Sequence, residues 1–75
     1  MKWFRSKAEK ELDLLIFELQ QNLENNYKSV AHEYRKKLGL RLEELHNAGS
    51  LDEKAYTAYR AVYDEYSEKM KDYHH

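Results

Sequence analysis

Apolar or small residues recur at Ala8, Leu12, Ile16, Leu19, Leu23, Tyr27, Val30, Tyr34, Leu38, Leu42 and Leu45, in steps of four and three. Such spacing keeps one face of an α-helix apolar. Within the series, Leu12, Leu23, Tyr34 and Leu45 stand eleven residues apart. An eleven-residue repeat corresponds to about 3.67 residues per turn, so the stripe holds its face along a nearly straight helix. The pattern therefore predicts one long first helix over about residues 5–47. A second stripe, Tyr56, Tyr59, Tyr63, Tyr66, Met70 and Tyr73, follows the 3-4 spacing of a coiled-coil seam. It predicts a second helix over about residues 51–72.

Between the two stripes lies Asn47-Ala48-Gly49-Ser50-Leu51-Asp52-Glu53. Gly49 suits the left-handed position after a helix, and Ser50 with Glu53 has the spacing of a capping box. A connection this short makes its flanking helices antiparallel neighbours. The tyrosines Tyr56, Tyr59, Tyr63 and Tyr66 are then expected to pack across the hairpin on Tyr34, Leu38, Leu42 and Leu45. Gly39 costs about 1 kcal/mol inside a helix relative to alanine, which makes sense if a tyrosine ring lies over it. The other readings of the tyrosine seam are a partner-binding stripe and a platform for stacking bases or ligands.

A competing architecture breaks the first helix at Asn25-Asn26, because asparagine is a poor interior residue and a good cap. The result is a monomeric three-helix bundle. Against it, neither glycine nor proline marks the break, and the apolar stripe keeps its phase across it. With a continuous helix, Leu12, Leu15, Ile16, Leu19 and Leu23, together with Phe17, find no partner within the hairpin. An apolar patch of that kind calls for another chain. The expected solution is a homodimer in which these leucines form the subunit interface and the N-terminal half-helices run antiparallel.

Composition strengthens the helical reading: 41% of the 75 residues are hydrophobic and 36% charged, with no proline and two glycines. The whole chain, 1–75, is one helical domain. A core of this size seldom supplies more than about 3–5 kcal/mol alone, and the absence of cysteine removes disulfides and thiolate metal sites. Charge alternates in blocks, net +3 over residues 1–10, −4 over 11–25, +4 over 26–41 and −4 over 42–75. Folding the acidic second helix onto the basic middle segment brings opposite signs together. Exposed pairs contribute only about 0–1 kcal/mol each, so this sets orientation more than stability.

Candidate chemistry is sparse. Arg35, Lys36, Lys37 and Arg41, beside Tyr34, form a possible nucleic-acid patch, since phosphates need clustered cations. The overall charge of −1 argues for a solvated face instead. Trp3 and Phe4 among Lys2, Arg5, Lys7 and Lys10 could seat a helix end on an anionic membrane. Asp13 and Glu18, which interrupt the apolar segment that follows, argue against it, and burial of Trp3 in the oligomer is the preferred reading. No signal peptide or membrane span fits, so cytoplasmic residence is expected. His32 and His46 lack a converging ligand pair, the serines lack a base, and no phosphate-cradling loop is present. His74 and His75 carry no functional argument, since a purification tag would look the same. Leu42-Glu43-Glu44-Leu45 through Gly49 to Tyr56 is generic helix punctuation and names no family.

The sequence thus reads as an all-α helical hairpin that self-associates, a non-enzymatic interaction or structural module with no cofactor and no metal. The rival function is a small accessory or regulatory protein that binds another protein, or nucleic acid through the Arg35 to Arg41 patch.

Overall fold

The structure, a computed structural model, describes residues 6–71. Among these the chain forms three α-helices and no strand: α1 Lys7–Glu24, α2 Lys28–Asn47 and α3 Glu53–Met70. α2 is the middle element, packed against both α1 and α3, which meet each other far less. The continuous first helix expected over about residues 5–47 is therefore replaced by two. One uninterrupted helix of that length would span about 60 Å, whereas the molecule measures 39 × 23 × 16 Å.

The break follows from the chemistry of Asn25-Asn26-Tyr27. Asn26 adopts φ 63°, in the left-handed region. The Asn26 amide donates to the Leu23 carbonyl at 3.0 Å, and the Tyr27 amide donates to the Asn22 carbonyl at 2.8 Å. Those two bonds make a Schellman cap, and asparagine is the usual substitute for glycine at its left-handed position. The same cap closes α2, where Gly49 (φ 77°) donates to the His46 carbonyl at 3.1 Å and Ser50 to that of Leu45 at 2.9 Å.

Besides the new start of α2 at Lys28, the start of α3 differs from expectation. α3 is capped by Asp52, whose Oδ1 accepts from the Ala55 amide at 2.7 Å, and not by Ser50. Leu51 explains the shift. It is 6% exposed and belongs to the core, so the chain bends at Leu51 to bury it and begins the helix after the extended Asp52. A capping box does form at the start of α1, where Glu9 donates its amide to Ser6 Oγ at 3.1 Å. The Ser6 amide returns a bond to Glu9 Oε1 at 2.9 Å.

One hydrophobic core joins the three helices. Leu12 and Leu19 from α1, Leu38 and Leu42 from α2 and Met70 from α3 are fully buried. The expected hairpin seam is present: Leu38, Leu42, Leu45 and Tyr59 are buried, and Tyr34, Tyr56, Tyr63 and Tyr66 pack on the same cluster. A Cβ on Gly39 would stand 2.7 Å from Cε1 of Tyr63, so a tyrosine ring does lie over this glycine. Tyr73 lies outside the described residues.

Candidate functional site

Polar chemistry concentrates where α2 and α3 converge. Glu43 and His46 share a face of α2; Glu53, Tyr56 and Arg60 follow each other at helical spacing on α3. The Tyr56 hydroxyl donates to Glu43 Oε2 at 2.7 Å, and Arg60 Nη1 donates to the same oxygen at 2.9 Å. His46 stacks on the Tyr56 ring, centroids 3.7 Å apart, and its Nε2 lies 2.8 Å from Glu53 Oε2. The Tyr56 hydroxyl and then the Arg60 guanidinium hold the Glu43 carboxyl below its ordinary range. The hydrogen bond to Glu43 in turn raises the Tyr56 hydroxyl above its usual value. A phenol that keeps its proton in this way is a poor nucleophile. The arrangement is a clip between two helices. His46, which lacks a converging ligand pair in the sequence, is held here by stacking and by Glu53; the sequence signal for the clip is the i, i+3 pair Glu43 and His46 facing Tyr56 across the predicted turn.

The basic run does not form one surface. Arg35 reaches toward α3, with Nη1 3.4 Å from both the Tyr63 hydroxyl and Ser67 Oγ. Arg41 points the other way, gripping the Glu11 carboxylate of α1 through Nε and through Nη2 at 3.1 Å, and reaching Glu44 at 3.1 Å. These bonds hold the Glu11 carboxyl below its ordinary range. Lys37 stands over the Tyr34 ring at 4.8 Å, and Lys36 remains on the exposed face of α2. The helix thus separates the two arginines to opposite flanks, each with internal partners.

The leucines expected at a subunit interface are placed inside the chain. Leu12 and Leu19 are fully buried, while Leu15, Ile16 and Leu23 pack partly buried against the core. The three-helix arrangement gives them the partner that a long hairpin lacked, so the ground for a dimer through this face is gone. Two neighbours within the same apolar segment go the other way. Leu14 is 60% and Phe17 52% exposed, on the side of α1 opposite the core. In sequence they are hard to separate from the core positions, because Leu14-Leu15-Ile16-Phe17 is an unbroken apolar run.

A shallow groove between α1 and α3 is lined by Asp13, Ile16, Ala58, Tyr59 and Val62. The Tyr59 hydroxyl bridges it, donating to Asp13 Oδ1 at 2.7 Å. Among the described residues no three His, Cys, Asp or Glu side chains gather as a metal-binding group, and no helix is long and apolar enough to cross a membrane. Trp3, Phe4, His74 and His75 lie outside the described residues. No family model, curated protein or solved structure matches this chain.

Proposed function

We propose that this chain is a non-enzymatic helical interaction module that self-associates, and that its contact surface is the outer face of α1. One observation carries the reading: Leu14 and Phe17, one helical turn apart, stand 60% and 52% exposed on a helix whose opposite face is already in the core. Single exposed apolar residues are ordinary, but a paired leucine and phenylalanine on one turn form a contiguous patch that a second surface would cover. The polar clip supports the non-enzymatic side of the reading, because its hydroxyl, imidazole and carboxylates are spent on one another. The division of Arg35 and Arg41 between two flanks weakens the nucleic-acid alternative, which needs its cations on one side.

Sedimentation equilibrium from roughly 1 to 500 µM tests the reading, since a single helix pair lies at the small, weak end of interface sizes. A mass that rises with concentration is the expected result. A constant monomer mass across that range would remove self-association.

A further inference from the structure

We infer that the partner on α1 is a second copy of the same helix, docked antiparallel about a two-fold axis; this rests on the self-association reading above. The exposed residues of α1 are Lys7, Lys10, Leu14, Phe17, Gln20, Gln21 and Glu24. Leaving aside Gln20, they follow a 3-4-3-4-3 spacing, the a and d positions of a second seam turned away from the core. The seam has a polarity: two lysines at its N-terminal end, an apolar centre, and glutamine and glutamate at its C-terminal end.

Polarity of that kind decides direction. A parallel pair would set Lys7 against Lys7, Lys10 against Lys10 and Glu24 against Glu24. An antiparallel pair centred between Leu15 and Ile16 sets Lys7 opposite Glu24, Lys10 opposite Gln21 and Leu14 opposite Phe17. Each layer then occurs twice, as an isologous interface requires. Every layer also joins an a position to a d position, which is the antiparallel packing geometry. The dipoles agree, since each N-terminus lies beside the other copy's C-terminus. On one flank Glu11 approaches the second copy's Glu18, and Arg41, which already grips Glu11, brings the counter-charge. α2 and α3 pack on the far side of α1 and do not obstruct the face.

Because the sequence contains no cysteine, single-cysteine variants give cross-linking without background. Lys10→Cys and Gln21→Cys are prepared separately in the full chain, then oxidised alone and as a mixture. The mixed disulfide is expected to dominate, and neither variant should link efficiently to itself. Adding Phe17→Asp should abolish both the link and the dimer mass while leaving helicity unchanged, because Phe17 is not in the core. Efficient self-linking by each variant, with no mixed product, would overturn the antiparallel geometry and leave self-association standing. A dimer mass that neither cross-links nor responds to Phe17→Asp would overturn this face while sparing the broader reading. A monomer at all concentrations would end both.

Discussion

A methyl group on Gly39 would meet Cε1 and Cζ of Tyr63 at 2.7 and 2.9 Å, and this single approach accounts for a glycine in the middle of α2. Moving the ring aside would give up the bond its hydroxyl takes from Arg35 at 3.4 Å and the Arg60 guanidinium over its face at 5.5 Å. Gly39→Leu should therefore destabilise the fold by about 1–3 kcal/mol through overpacking. In a Tyr63→Ala background the same change should stabilise, since up to about 1 kcal/mol of helix propensity is regained with nothing to clash against. A double-mutant cycle by urea unfolding reads the coupling. Tyr56 offers a second test at this scale. Glu43 is lowered from its ordinary 4.5, so its contribution is present above that value and is lost as pH falls through the lower folded value. Tyr56 is raised from 10.0, so its contribution is present below that value and is lost as pH rises through the higher folded value. The clip thus adds stability between the acid and alkaline limbs. Tyr56→Phe should lower the thermal midpoint near neutrality and flatten both limbs, as read by circular dichroism melts between about pH 3 and 11.

Helices are set by their ends as much as by their stripes, and the two turns show how differently those ends can be spelled. At Gly49 the left-handed cap uses the residue that announces it. At Asn26 the same cap uses asparagine, so the break carried no glycine to read. Continuity of the apolar phase was equally uninformative: Leu23 and Tyr34, eleven residues apart, both pack on the core from opposite sides of a turn. A periodic stripe reports which residues face the core, not whether one helix or two bring them there. The seam between α2 and α3 was legible because its spacing and its cap agreed, whereas the start of α3 was misread because Ser50 offered a capping pattern that the burial of Leu51 displaced. Substitutions separate these assignments. Asn26→Ala should cost about 1–2 kcal/mol for forcing a side chain with a Cβ into the left-handed region, and Asn26→Gly should cost nothing or stabilise. Asp52→Ala should cost about 1 kcal/mol as a lost cap, while Ser50→Ala should stay within about 0.5 kcal/mol. Chemical unfolding of the four variants checks the set.

At the scale of the whole molecule the question is which apolar residues hold one chain together and which hold two. Leu12, Leu14, Phe17 and Leu19 lie within eight residues of one another, yet the fold sends the first and last inward and the middle two outward. A core of this size seldom supplies more than about 3–5 kcal/mol, and a buried leucine truncated to alanine costs about 2–5. Leu12→Ala and Leu19→Ala should therefore each remove a large share of the total. If these leucines lay at a subunit interface, the loss would be recovered at high protein concentration, because association is linked to folding by mass action. In a three-helix core it is not recovered, since the missing contacts are with α2 and α3 of the same chain. Leu14→Ala makes the converse test, leaving the unfolding midpoint of dilute protein within the scatter of surface changes while weakening association. Unfolding midpoints of the three variants across a hundredfold range of concentration distinguish the cases. Concentration-independent loss in Leu12→Ala and Leu19→Ala, with a loss in Leu14→Ala that is absent in dilute protein and grows as association sets in, is the pattern that this partition of the apolar segment demands.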